Sequence, residues 1–440
     1  MNKIRVFETF AGIGAQHKAI SILKEYLKDD YQFEIAGTSE WDIWANISYN
    51  AIHHNNKNIA KNLSEDELDE FLLKFEHSRD SKKPMSPKNV IGLQRNVKEL
   101  LYSSIVNSKN QGSITKIKGE DLIKNIDEFQ MLTYSFPCQD LSVAGSFHGF
   151  NQGMAKGSNT RSGLLWEIER LLIELDDINK LPDYLLLENV KNMISKRHRK
   201  DYEEWLEFLS SLGYKTQTYV LNSLEYGVPQ SRERVYALSV KGVDDGIFND
   251  TFKKNGYITE KNKPKDISSE INISRKLNEL LHIDYDNVND KNEALKAIPN
   301  RTVSRKRMYD DNRLLFTLRK TKKNSREQQA KYKYYEVDNK YYLTHCSTIT
   351  TKQDRHPNAG NIDLKSTKLG GGKKARYRFI TPREAYLLMG FHEADVDKIF
   401  QNDFLKKEVL YRQAGNSIVV NVLVAIFNKI IKKRGDSKND

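Results

Sequence analysis

The stretch Ile4-Arg5-Val6-Phe7-Glu8-Thr9-Phe10-Ala11-Gly12-Ile13-Gly14 decides the fold class. Residues 4–7 read as an apolar strand and residues 11–14 as a glycine-containing turn. Ala19, Ile20, Leu23 and Leu27 then share one face of a helix, at spacings of one, three and four. Working outward, Phe33-Glu34-Ile35-Ala36-Gly37 reads as a second strand and residues 131–136 as a third, ending at Pro137-Cys138. Residues 164–175 are helical in pattern. Tyr184-Leu185-Leu186-Leu187 is short and continuously apolar, as in a parallel strand covered on both faces. An amphipathic helix at 202–212 stops at Gly213, and 235–240 read as a further strand. Strands alternating with helices in this way predict an α/β fold, a doubly wound and mostly parallel sheet. Residues 55–110 are polar and lysine-rich, carry one amphipathic helix near 68–75, and read as an insertion.

The alternation stops near Gly242. Residues 243–375 are polar, basic and weakly periodic. Order returns at 378–384 and in an apolar helix at 385–389. Residues 418–431 are apolar nearly all round, the pattern of a helix inside a core. We therefore expect a first domain over 1–242, completed by 408–440, and a second, less regular domain over 243–407. The net charge is +12, and between 301 and 335 twelve basic residues stand against three acidic ones. Tyr309, Phe316, Tyr332, Tyr334 and Tyr335 are interleaved there, which suits a polyanion-binding surface; a solvated loop is the plainer reading. With 23 Gly and 9 Pro the chain is not collagenous. No apolar run approaches the ~18–20 residues of a spanning helix, so no membrane partner is expected. Two cysteines exclude a disulfide scaffold and a cysteine-built zinc site, and point to a reducing, cytoplasmic setting. The spacing of His345-Cys346 and Asp354-Arg355-His356 fits no usual zinc pattern, so no metal is expected.

In a doubly wound sheet the first strand–helix turn faces the ligand crevice. Gly12 and Gly14 let a ligand approach the backbone there. Ala15 and Gln16 follow instead of a third glycine, which weakens a pyrophosphate reading. Glu40, after the second strand, is placed to bind ribose hydroxyls, and Trp41 to lie on an adenine face. Together they fit an adenosine-containing cofactor. Cys138 follows a strand end and precedes a helix start, where dipole and cations favour a thiolate; alone it would more simply be an inert buried cysteine. Glu188 ends another buried strand, and Arg232 and Arg234 precede a third. A thiol, a carboxyl and two guanidiniums at strand ends can meet in one pocket.

The chain resembles the DNA (cytosine-5) methyltransferases of bacterial and phage restriction–modification systems. The matching blocks run in the family's order: Phe10-Ala11-Gly12-Ile13-Gly14, Pro137-Cys138-Gln139, Glu188-Asn189-Val190, Gln230-Ser231-Arg232-Glu233-Arg234, Arg378-Phe379-Ile380-Thr381-Pro382-Arg383-Glu384 and Gly415-Asn416-Ser417. The resemblance implies a Rossmann-like catalytic domain that uses S-adenosylmethionine, and a target recognition domain in the variable region. It implies a sequence-specific enzyme on double-stranded DNA, acting as a monomer, with any cognate endonuclease acting separately. Cys138 is then the thiolate that adds to carbon 6 of a flipped-out cytosine. Glu188 is the acid at N3, which requires a raised pKa. Arg232 and Arg234 brace base and phosphate, and Asn189 holds the local backbone. Cofactor positions map onto Phe10, Gly12, Gly14, Glu40, Trp41, Leu164, Asn416 and Ser417. Gly112-Ser113-Ile114 stands where the family has Gly-Asp-Ile, so Ser113 and Ile114 take the adenine contact without the usual charge. Base-reading residues are expected between 335 and 372, among Thr350, Thr351, Gln353, Asp354, Arg355 and His356. A catalytically silent DNA-binding relative and an RNA methyltransferase are the rival readings.

Overall fold

The computed structural model describes residues 3–27, 33–138, 141, 156, 162–242, 257–259, 271, 273–303, 306, 315–316, 334–337 and 340–436. The basic stretch at 301–335 lies largely outside these residues, as do Gln139 and Asp140. The chain divides into two compact units. Unit 1 comprises 1–221, 233–268 and 423–440; unit 2 comprises 222–232 and 269–422. The sequence-based boundaries at 243 and 408 thus sit inside these units. Residues 222–232 leave the sheet-bearing unit and the chain returns to it at 233; it leaves again at 269, and helix Val420–Asp436 carries the last return.

Unit 1 is built on a seven-stranded sheet. In chain order its strands are β1 (Ile4–Thr9), β2 (Phe33–Ser39), β3 (Met131–Tyr134), β4 (Tyr184–Val190), β5 (Tyr214–Asn222), β7 (Glu233–Lys241) and β8 (Tyr257–Thr259); a two-residue strand, β6 (Gln230–Ser231), belongs to unit 2. The spatial order is β2-β1-β3-β4-β7-β5-β8. β1, β2, β3 and β4 run parallel, as the alternating pattern predicts. β7 runs antiparallel to β4, with Leu187 opposite Ala237 and Val190 opposite Arg234. All of β4 except Val190 is buried, which is why its sequence is apolar without alternation.

Helix α1 (Ala15–Leu27) follows the glycine turn and buries Ala19, Ile20 and Leu23. Helix α2 (Ile43–His54) is capped by Asp42, whose carboxylate accepts from Trp44 N and Ala45 N. Helix Leu165–Asp177 buries Leu165, Ile168, Leu171, Leu172 and Leu175, and helix Arg199–Ser211 buries Tyr202, Trp205 and Leu209. These close one core cluster with Phe136, Leu185, Leu187 and Val235.

The 55–110 segment holds more structure than its composition suggests. Its first helix is Glu65–Leu72, started by a Ser64–Glu67 capping box, rather than 68–75. A second long helix, Arg95–Asn107, buries Val97, Leu101 and Ile105.

In unit 2 the helix Pro382–Leu387 begins at a Thr381–Glu384 capping box with Pro382 at its first turn. Glu384 is fully buried and receives Arg378 on both oxygens at 2.8 Å. Paired in this forked way, the two charges satisfy one another out of water. Among the described residues one stretch, Lys407–Ile431, is long enough to span a membrane, and its most apolar 18 residues have a mean hydropathy of 1.6. It corrects the expectation that no run reaches that length: helices Lys407–Asn416 and Val420–Asp436 follow each other almost directly. Of its most apolar window, 89% is buried within the protein, as a core helix requires.

Candidate active site

In unit 1 the predicted residues collect where β1, β2, β3 and β4 end. Phe10 and Gly12 both adopt left-handed backbone, at φ 53° and 56°, and Gly14 follows at 78°. The Gly12 amide donates to Glu40 Oε2 at 2.9 Å, tying the first turn to the second strand's end. Glu40 Oε1 accepts from Trp41 N at 2.9 Å and from Asp42 N at 2.8 Å. Burial raises the Glu40 carboxyl to about 7, with the Asp42 charge adding to the effect; the three N–H donors work against it.

Behind the glycines stands a packed aromatic wall. His53 Nε2 donates to Ile13 O at 3.0 Å, and its ring stacks on His17 with centroids 4.1 Å apart. A Cβ on Gly14 would lie 2.3 Å from His53 Nε2 and 2.6 Å from Tyr49 Cε2, so only glycine fits. A Cβ on Gly12 would meet only Phe10 O at 3.9 Å, so Gly12 faces open space. Tyr49 donates to Glu8 Oε2 at 2.7 Å, and the His17 amide donates to Glu8 Oε1 at 3.0 Å. Burial lifts Glu8 to about 7 and lowers His17 to about 3, the latter helped by His54. Glu8, Tyr49 and His53 were not singled out in the sequence analysis. The spacing of Tyr49 and His53, four apart on one helix face, was the available signal.

Ser113 precedes a single 3-10 turn, Ile114–Lys116, and its hydroxyl hydrogen-bonds Thr115 Oγ1 at 3.0 Å. Ile114 is in the core cluster, while Phe10 and Leu164 pack half-buried against that same cluster. Asn110 was missed. Its side-chain oxygen accepts from Glu40 N and Gly112 N, both at 3.0 Å, so it joins the Glu40 turn to the Ser113 segment.

Cys138 is half-buried, in the loop four residues past β3. Three successive carbonyls of that loop are held. Asn189 Nδ2 donates to Phe136 O at 3.0 Å, Ser162 Oγ to Pro137 O at 2.8 Å, and Leu141 N to Cys138 O at 3.0 Å. Asn189 therefore couples the end of β4 to the cysteine loop of β3. Beside it, Glu188 Oε1 lies 3.5 Å from Arg234 Nε, both side chains mostly shielded from water. A thiol, a carboxyl and a guanidinium thus occupy neighbouring strand ends.

Arg232 is placed differently from Arg234. It lies in unit 2, is buried, and donates to Ile349 O at 2.9 Å and to Gly415 O and Ser417 O at 3.0 Å each. Those three bonds tie its terminal nitrogens to backbone carbonyls. Ser417 is buried and Asn416 exposed at the end of helix Lys407–Asn416, also in unit 2. Gly415 has no room for a side chain, since a Cβ would sit 2.4 Å from Thr351 N. Gln353, expected to read bases, is fully buried, and its Oε1 accepts from Ala359 N at 3.3 Å. Cys346 is buried too, and burial raises its thiol.

The sequence profile of the C-5 cytosine-specific DNA methylases matches residues 94–432. The chain belongs to that family. It is 33% identical over 436 residues to the orphan methyltransferase M.SssI of Spiroplasma monobiae, covering 97% of each chain. It is 31% identical over 436 residues to the type II methyltransferase M2.ScrFI of Lactococcus lactis subsp. cremoris, covering 98% of this chain and 100% of that one. Among solved structures it is similar to the Dnmt2 methyltransferase of S. pombe, with TM-score 0.56 and 17% identity over 98% of this chain and 99% of that one. That likeness supports the Rossmann-like α/β fold. The protein is accordingly a DNA (cytosine-5-)-methyltransferase of the restriction–modification type.

Proposed function

We propose that this methyltransferase modifies carbon 5 of a cytosine turned out of duplex DNA at a specific sequence, through a transient bond to Cys138. The supporting observation is the alignment of three strand ends: the Cys138 loop after β3, Glu188 on β4 and Arg234 on β7. Carbon 5 of cytosine is a weak nucleophile. Addition of the Cys138 thiolate at carbon 6 moves electron density onto the ring, and Glu188 relieves it by a proton or strong hydrogen bond at N3. Arg234 holds the Glu188 carboxyl in orientation, and Asn189 fixes the loop from which the thiol projects. When bound, S-adenosylmethionine supplies the methyl group to carbon 5. A base such as water then takes the carbon-5 proton, the electrons of that bond re-form the carbon 5–carbon 6 double bond, and the sulfur–carbon bond breaks to release Cys138 as a thiolate.

The unit 1 turns fit that cofactor. Glu40 receives three amides and keeps acceptor capacity for hydroxyl donors, because a carboxylate oxygen accepts more than one bond. Trp41 is half-buried beside it, Gly12 opens on space, and Phe10, Leu164 and Ile114 offer apolar surface. Ser113, Asn416 and Ser417 complete the proposed set. The excess positive charge suits a duplex partner. We assign the enzyme to the cytoplasm as a monomer, with any cognate endonuclease acting separately.

The test begins by mapping methylated cytosines in DNA from cells expressing the protein. A duplex carrying 5-fluorocytosine at the mapped site should then form a denaturation-resistant adduct, since fluorine does not leave as a proton does. Cys138→Ser should form none and should not methylate, and tRNA should not serve as substrate. Substantial methylation by Cys138→Ser would overturn the covalent route.

A further inference from the structure

We propose that the loop at residues 77–85, carried by the 55–110 segment, is a positioning element for the cofactor turn at residues 40–42. The inference rests on the reading of Glu40 and Trp41 as cofactor contacts. Ser78 brackets Asp42 on both sides: its amide donates to Trp41 O at 2.8 Å, and its carbonyl accepts from Ile43 N at 2.9 Å. Ser81 Oγ donates to Asp42 Oδ2 at 2.5 Å, while Oδ1 of the same carboxylate caps α2 through Trp44 N and Ala45 N. One side chain therefore links the loop, the turn and the helix start.

The loop is itself built to be stiff. Ser78 Oγ donates to Lys83 O at 2.8 Å, Asp80 Oδ1 accepts from Lys82 N at 2.9 Å and Lys83 N at 3.1 Å, and Met85 N donates to His77 O at 2.7 Å. His77 is buried and bonds Leu72 O at 2.9 Å, anchoring the loop to the end of helix Glu65–Leu72. Ser81 is held at φ 59°, a left-handed conformation that serine rarely adopts. Strain of this kind persists only where surrounding bonds overdetermine it.

The chain of contacts runs from the inserted segment through Ser78 and Ser81 to Trp41 and Asp42, then through Glu40 to the Gly12 amide. Holding Trp41 and Glu40 in their bound geometry before the cofactor arrives lowers the ordering cost of binding. The bonds named above tie the loop to the cofactor turn and to helix Glu65–Leu72. Loss of the loop should weaken cofactor affinity and leave turnover at saturation nearly intact.

Ser81 offers a clean variant. Ser81→Gly relieves the left-handed strain while deleting the bond to Asp42, and Ser81→Asn tolerates that conformation while keeping a donor. Binding of S-adenosylhomocysteine to the full chain is measured by calorimetry, alongside melting temperature and kcat at saturating cofactor. Ser81→Gly should raise Kd about threefold to tenfold, with the melting temperature unchanged or higher and kcat within about twofold. Ser81→Asn should restore the wild-type Kd. A wild-type Kd in Ser81→Gly overturns the inference, as does a loss that Ser81→Asn fails to recover. Glu40→Ala separates the two readings: if it leaves Kd unchanged, the assignment of Glu40 fails, whereas a weakened Glu40→Ala beside an unaffected Ser81→Gly sinks only the loop's role.

Discussion

Replacing Gly14 with alanine tests whether the glycine turn is shaped by the wall behind it. Gly14 sits at φ 78°, where an L-residue pays about 1–2 kcal/mol. The added methyl would also lie 2.3 Å from His53 Nε2 and 2.6 Å from Tyr49 Cε2, well inside van der Waals contact. Neither neighbour retreats easily. His53 is held by Ile13 O and by its stack on His17, and Tyr49 by Glu8. Overpacking at such a site costs about 1–3 kcal/mol, so Gly14→Ala should lose about 2–5 kcal/mol in total. Urea denaturation reads that loss, and cofactor titration reads the displacement of the loop. In a His53→Ala background the steric part falls while the backbone part stays. The two substitutions should therefore couple favourably by about 1 kcal/mol or more. Additive costs, or a Gly14→Ala protein within about 0.5 kcal/mol of wild type with unchanged affinity, would refute the argument.

Glu188→Gln keeps shape and hydrogen-bonding ability but cannot deliver a proton. It should slow methyl transfer by roughly 10²–10⁴-fold in single-turnover assays while cofactor titration changes little. Glu8, buried, and His17, half-buried, make stability depend on pH in opposite senses. Glu8, raised to about 7 from 4.5, gives a contribution that is complete below about 4.5 and lost as pH rises through 7. His17, lowered to about 3 from 6.5, gives one present above 6.5 and lost as pH falls toward 3. Across the shared window the slopes oppose each other, so Glu8→Gln should steepen the loss of stability on acidification; parallel denaturation profiles for the two proteins would contradict this. Glu384→Gln strands Arg378 in the core and should cost about 3–5 kcal/mol in urea unfolding.

The parts of the fold legible in the sequence are those whose burial shows as apolar residues. β4 declares itself through Tyr184-Leu185-Leu186-Leu187. β5 does not, because Gln217 and Thr218 are polar and yet buried, with Thr218 bonded to Tyr202 in helix Arg199–Ser211 at 2.7 Å. Helix Arg95–Asn107 was hidden for the same reason. It buries Lys98, which pairs with Glu65 at 2.9 Å and Asp69 at 2.6 Å, and Ser104, which donates to Asn46 O at 2.5 Å. Such polar burial depends on partners tens of residues away, which local periodicity cannot register. Cys138, Glu188 and Arg234 were legible because motif order marks strand ends. The carbonyl partners of Arg232, at 349, 415 and 417, were not legible, because they lie more than a hundred positions along the chain.

The direction of one strand decides how these strand-end groups meet. In a wholly parallel sheet, the residue that opens a strand lies at the edge opposite the one where ligand-facing loops emerge. Arg234, near the start of β7, would then be a full strand length from Glu188, near the end of β4. Because β7 runs antiparallel, Arg234 stands opposite Val190, and its guanidinium reaches the Glu188 carboxyl at 3.5 Å. The sequence shows an arginine before a strand and a glutamate after one, a pairing that a parallel reading forbids and the observed topology creates. The same reversal separates the surroundings of the two arginines. Arg232, two residues earlier, belongs to unit 2, where its two terminal nitrogens donate to the carbonyls of Ile349, Gly415 and Ser417. A lysine at 234 would keep the charge and lose the fork, whereas a lysine at 232 would release three backbone ties at once. The two substitutions should therefore part company, the first acting on catalysis and the second on stability.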